Sequence, residues 1–164
     1  MKDKLFINNT EDKVDTPDKC LKTLKKIYPD VEIIKESKVK YLTPELVIKI
    51  HDRILRDTKS IKTIRDISLL ESAVYTPSIK LFGEDMYPSI IDKACILLER
   101  IIKNHPFIDG NKRTALVSCI LFLKLNGIII KPKDYKEDSE FIDNIASSIN
   151  KLENIQEWVE SIIV

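Results

Sequence analysis

The chain holds only three glycines in 164 residues. Few residues are therefore free to take positive φ at no steric cost, which argues against a glycine-rich all-β fold. Cysteine is as sparse. Cys20, Cys95 and Cys119 form no CxxC pair. An odd count without paired spacing fits reduced thiols in a cytoplasmic protein, with two of them acting as small buried hydrophobes. His51 and His105 are the only histidines, and no cysteine stands near either, so no zinc spacing exists. Charge of one sign is not in excess: 27 Lys and Arg face 26 Asp and Glu, for a net +1. This lacks the basic surplus of a protein that binds nucleic acid by counterion release. No long apolar run is present. The strongest, Ile120 to Leu125, is broken by Lys124 and is too short to span a bilayer. The opening MKDKLFINNTEDK has no apolar run of signal-peptide length. Neither a repeat nor a low-complexity tract is visible.

What is there is helical. The composition, 43% hydrophobic and 32% charged, fits a soluble domain with a real core. Residues 1–40 read as a polar extension of undisclosed role, in which TPDKCLKTLKKIYPD can form a short helix and VEIIK a short strand. Regular periodicity starts at YLTPELVIKIHDRILRD. Thr43 followed by Pro44 signals a helix start, and Leu46, Val47, Ile50, Ile54 and Leu55 recur at helical spacing. His51 belongs to this helix and is expected to be structural. KSIKTIRD alternates and suits an extended segment or one arm of a hairpin; DISLLESAVY suits a short helix. A wide apolar face runs from Pro88 to Asn104. Thr114 to Asn126 is apolar almost all round, which places it in the middle of a bundle. Gly127 sits where a C-terminal glycine cap belongs. DSEFIDNIASSIN and NIQEWVESIIV read as two more amphipathic helices. The expected fold is an all-α helical bundle with little sheet.

Between the two strongest helices lies NHPFIDGNKRTA, residues 104–115. It gathers a histidine, an aspartate, a glycine, an asparagine, a lysine and an arginine at one break. The first turn of a helix carries unpaired N–H groups and the positive end of the dipole. With Gly110 allowing close approach, this makes an anion site, and phosphate is the natural anion. Lys112 and Arg113 add cationic donors. A carboxylate in such a place, Asp109, is best explained by Mg²⁺ bound to one carboxylate and to nucleotide phosphates. His105 is the natural general base. Asn111 can fix the loop or bind phosphate. Each residue has a plainer alternative: Asp109 with Asn111 as a helix cap, Lys112 and Arg113 as a solvated first turn, His105 as a helix-end residue. Cations in a first turn oppose the dipole, however, and the groups together beside a glycine turn favour a site for nucleotide phosphate chemistry. The spacing is not that of a P-loop.

HPFIDGNKRTA closely resembles the motif of the Fic/Doc family, written roughly HxFx(D/E)GNxxR in its Fic branch. Its surroundings, YLTPELVIKIHD, IRDISLLESAVYTP, ACILLERIIKNHPFIDGNKRTAL and LFLKLNG, look like the death-on-curing (Doc) branch in order and spacing. The resemblance covers Tyr41 to Val164, so it implies a catalytic domain at 41–164 behind the 1–40 extension. It implies a Fic/Doc helical bundle with a small β-hairpin flap near Lys59 to Asp66 that aligns a target segment by strand addition. Many Fic proteins transfer AMP from ATP to a target hydroxyl. Doc-type toxins resemble them but move a phosphate to a threonine of translation elongation factor Tu, and a separate antitoxin neutralises them. Matched position by position, His105, Asp109 and Arg113 would be catalytic, with Asp109 on Mg²⁺. Gly110, Asn111, Lys112 and Arg113 would form the nucleotide-phosphate site, and Phe107 would anchor the loop. Lys112 stands in place of a second glycine and Leu116 in place of a final arginine. Both departures are Doc-like and favour phosphate over AMP transfer. The inhibitory pattern (S/T)xxxE(G/N) of some Fic proteins is absent, in line with a separate antitoxin. Three expectations follow: a Doc-like kinase, an AMP transferase of the same fold, or a silent binding domain of a toxin–antitoxin complex.

Overall fold

The computed structural model describes residues 34–36, 39–56, 58–131, 138–147 and 151–164. The helix expected within TPDKCLKTLKKIYPD, and Cys20, lie outside the described residues. Strand β1 (Ile34–Glu36) pairs antiparallel with β2 (Val39–Tyr41). Six helices follow: α1 (Pro44–Ile54), α2 (Ile67–Tyr75), α3 (Ile90–Asn104), α4 (Asn111–Leu125), α5 (Ser139–Ala146) and α6 (Leu152–Ser161). A 3₁₀ turn (Thr76–Ser78) and a two-residue hairpin, β3 (Lys80–Leu81) with β4 (Glu84–Asp85), sit between α2 and α3. The mostly helical fold expected from the sequence is thus the fold found. No helix among the described residues is long and apolar enough to cross a membrane.

Local chemistry sets the boundaries. Thr43 accepts from the Leu46 N–H at 3.2 Å and Pro44 opens α1. Asp66 accepts from the N–H groups of Ser68 and Leu69 to start α2. Ser89 and Asp92 form a capping box at the start of α3. At the far end of α4, Gly127 takes φ +85°, its N–H reaches Lys124 O, and the Ile128 N–H reaches Leu123 O. These paired bonds are a Schellman cap.

The core is centred on α3, which packs against α4, α6 and α2. Leu97, Leu98, Ile101 and Ile102 of α3 are buried together with Ala115, Cys119, Phe122 and Leu123 of α4. Each such side chain contributes roughly 1.5–3 kcal/mol when fully buried. The expectation for α4 is modified in one respect. Val117, Ile120 and Leu121 form a half-buried stripe, so α3 rather than α4 is the hub. Strand β2 is stitched to the end of α4 by the Asn126 amide, which accepts from Lys40 N–H and donates to Lys40 O, both at 2.9 Å. The pairing thus ties residues on both sides of position 40 to the helical body.

Lys93 is fully buried yet fully partnered. Its Nζ donates to Tyr87 O at 2.6 Å, Asp85 Oδ2 at 2.9 Å and Pro77 O at 3.2 Å, and lies 5.8 Å from the Tyr41 ring centre. It fastens the β3–β4 hairpin to α3. The Lys93 ammonium in turn holds the Asp85 carboxyl below the usual carboxylate range. Lys93→Met fits the volume but leaves the two carbonyls without their donor. At about 1 kcal/mol or more for each, thermal unfolding should shift down by several degrees. An unchanged melting temperature would show that the buried ammonium is not stabilising.

Candidate active site

The motif begins where α3 stops. His105 adopts a left-handed conformation, φ +52° and ψ +54°, with its N–H on Ile101 O at 3.3 Å. A residue with a Cβ persists in that region only where its surroundings over-determine it. Here they do. Arg65 Nε donates to His105 O and Arg65 Nη2 to Asn104 O, each at 2.7 Å. The backbone N–H groups of Arg65 and Asp66 reach Pro106 O at 2.7 and 3.2 Å, and the Ile108 N–H reaches Thr63 O at 2.9 Å. Ile64 forms an antiparallel bridge with Phe107. Within Lys59 to Asp66, where the resemblance implies a hairpin, the described residues show none: Lys59 and Ser60 lie in a bend, and Thr63 to Asp66 run antiparallel along the motif loop. The partner strand is the motif itself. The hairpin of this region forms at Lys80–Asp85 instead, around Phe82 and Gly83, whose positive φ values suit a tight two-residue turn.

The core holds the loop from the other side. Phe107 is fully buried and stacks on His51, with ring centres 3.9 Å apart and planes 7° apart. His51 Nε2 lies 2.9 Å from Asp109 O. A carbonyl only accepts, so Nε2 is the nitrogen that carries the proton. Asn111 is buried, and its side-chain amide grips one peptide unit pair: Oδ1 accepts from Phe107 N–H at 2.9 Å and Nδ2 donates to Phe107 O at 2.8 Å. The Asn111 side chain thus fixes the loop, the first of its two expected roles. What it presents to an anion is its backbone N–H.

Gly110 precedes α4 at φ +78°. A Cβ there would stand 3.2 Å from Leu55 Cδ2. The glycine is required by the backbone turn and by the core beneath it. No side chain caps the first turn of α4, so its N–H groups and the dipole are left to whatever occupies the cleft. That cleft, about 290 Å³, is lined by His105, Ile108, Asp109, Gly110, Asn111, Lys112 and Arg113. The cleft brings together His105, Asp109, Gly110, Asn111, Lys112 and Arg113, while Phe107 and Leu116 are buried in the core.

Asp109 is ionised. The Ser60 hydroxyl hydrogen-bonds its carboxyl and holds it below the usual carboxylate range, with help from the Gly110 N–H and the charge of Arg113, against the opposing effect of partial burial. The Gly110 N–H lies 2.6 Å from Asp109 Oδ1. Among the described residues, no group of three ligating side chains could enclose a metal. A cation at Asp109 would complete its shell with water or with oxygens of a bound substrate, as Mg²⁺ commonly does. Arg113 is half-buried, and neither its guanidinium nor the exposed His105 imidazole has a hydrogen bond or ion pair among the described residues. Lys112 differs: Nζ pairs with Asp143 Oδ1 of α5 at 2.5 Å.

Three supporting residues were not singled out as part of the site from the sequence. His51 carried a signal, a polar ring within the apolar stripe of α1. Ser60 and Arg65 carried none, because their partners lie about forty or more residues away.

The family model described as the Fic/DOC family matches residues 41–123. The chain belongs to the Fic/DOC family. Among Fic/DOC relatives, it is 45% identical over 65 residues to a protein named Toxin Doc from Mycolicibacterium smegmatis, covering 40% of this chain and 50% of that one. It is 27% identical over 90 residues to Protein kinase doc of Escherichia phage P1, covering 55% of this chain and 71% of that one. The match spans only half the length of the first of these relatives. Lys112 and Leu116 both fall within the Fic/DOC match.

Proposed function

We propose that this chain is a Doc-like toxin acting in the cytoplasm, which transfers the γ-phosphate of ATP to a hydroxyl of a target protein and is neutralised by a separate antitoxin. The observation that carries this reading is the meeting, in one cleft, of an unengaged imidazole, the Asp109 carboxyl and an uncapped helix N-terminus. His105 takes the proton of the acceptor hydroxyl. The oxygen bonds to the γ-phosphorus as the bond to the β-phosphate oxygen breaks, and ADP leaves. The N–H groups of Asn111, Lys112 and Arg113 and the Arg113 guanidinium receive the charge on the phosphates. Asp109 would hold Mg²⁺, which would neutralise phosphate charge when bound. Preference for phosphate rests on Lys112, on Leu116 and on the name of the phage relative. A threonine of elongation factor Tu is the proposed acceptor, and blocked translation the outcome.

AMP transfer is the second reading, and one observation favours it. Lys112 lines the cleft, but its Nζ is drawn to Asp143 of α5 and leaves more room for a phosphate than a free lysine side chain would. An exposed pair of this kind is worth only about 0.2–1 kcal/mol and yields readily to a phosphate. Incubation with Mg²⁺, elongation factor Tu and ATP labelled at the γ or the α position separates the two. Label from γ supports the kinase. Label from α replaces it by AMP transfer. No label from either, also against a whole-cell lysate, would leave the silent binding domain.

A further inference from the structure

Arg65 lies outside the motif and outside the residues that line the cleft. Its side chain nevertheless ends on the motif's first turn. A helix C-terminus leaves its last carbonyls unpaired and is the negative end of the dipole. The Arg65 guanidinium meets two of these carbonyls, those of Asn104 and His105, with separate N–H groups at 2.7 Å. Its own backbone N–H takes the third, Pro106 O, also at 2.7 Å. These three carbonyls bracket the left-handed break at His105. The Asp66 N–H on Pro106 O and Asn104 Nδ2 on Leu69 O also hold this turn, but neither reaches His105 O, and Asn111 and His51 grip the loop two residues and four residues further on. The planar fork of an arginine suits two acceptors on one chain, which a lysine point charge does not match.

We infer that Arg65 is a positioning residue for His105: it holds the left-handed break at the end of α3 that presents the imidazole to the cleft. The inference rests on the proposed function for its catalytic consequence but not for its geometry. Arg65→Ala should lower turnover by about 100-fold, since a displacement near 1 Å of a reacting group has that effect. Affinity for ATP should stay within about twofold, because Arg65 does not line the cleft. Arg65→Lys should recover part of the turnover. A second measurement needs no activity. In ¹³C,¹⁵N-labelled protein, the backbone shifts and HN–Hα coupling of His105 should report a left-handed residue in the wild type. They should change in Arg65→Ala while the amides of α1 and α6 hold their positions. Unchanged His105 shifts in Arg65→Ala would overturn the inference. So would equal losses of turnover, ATP affinity and melting temperature that Arg65→Lys does not repair, which would mark a merely structural residue. Should the wild type transfer nothing to any acceptor, the proposed function fails, and the His105 shifts still decide on Arg65.

Discussion

His105→Ala should abolish group transfer, lowering single-turnover transfer by about 10²–10⁴-fold, the usual contribution of a positioned general base. The protein should remain folded. The imidazole is exposed and has no hydrogen-bond partner among the described residues, so its removal leaves nothing buried and unpaired. Nucleotide affinity should hold within a few-fold, because the proposed phosphate site lies at the first turn of α4 and not at the imidazole. One complication is the backbone. His105 sits at φ +52°, where alanine is less at ease than asparagine. His105→Asn therefore separates the two roles of the position, keeping the left-handed turn while removing the base. Both variants should be inactive, and His105→Asn should melt like the wild type. Near-normal transfer by His105→Asn would mean that the imidazole is not the base.

The second large effect concerns stability. Asn111→Ala should destabilise the protein by about 2–5 kcal/mol. It removes two hydrogen bonds to Phe107 and leaves that residue's N–H and C=O buried without partners, at about 1–3 kcal/mol each. For a chain of this size the melting temperature should fall by roughly 5–15 °C. Both broken bonds lie in the buried interior, so little solvent is available to replace them. If the Asn111 side chain instead served chiefly as a phosphate ligand, stability would barely change and nucleotide affinity alone would fall. Thermal denaturation and nucleotide titration of the same variant distinguish these outcomes.

Much of the helical scaffold was legible because its signals are local. Thr43 with Pro44, the apolar face from Ile90 to Ile102, and Gly127 all act within a turn of the chain, and each boundary lies where they place it or within two residues. The start of α4 was less well marked. It begins at Asn111, three residues ahead of the apolar run at Thr114, because Gly110 enters the helix with no capping side chain to announce it. The cleft-lining residues were legible as a cluster, since they are contiguous. Their division of labour was not. An asparagine that binds phosphate and one that clamps a neighbouring peptide look alike in sequence, and only burial separates them. Long-range partners were also hidden. The alternation of KSIKTIRD suggested an extended segment, and Thr63 to Asp66 form one, but no local feature says that its ladder partner is Pro106–Ile108 rather than a second arm of a hairpin. The same holds for Lys112 and Asp143, 31 residues apart.

The most direct measurement is a crystal structure of the chain with Mg²⁺ and a non-hydrolysable ATP analogue. The phosphates should lie at the N-terminus of α4, within hydrogen-bond reach of the N–H groups of Asn111 to Arg113. Arg113 should reach phosphate oxygens, the metal should sit on Asp109, and His105 should face the γ-phosphate. A nucleotide bound elsewhere, or none at millimolar concentration with the loop otherwise unchanged, would contradict a phosphate site in this cleft.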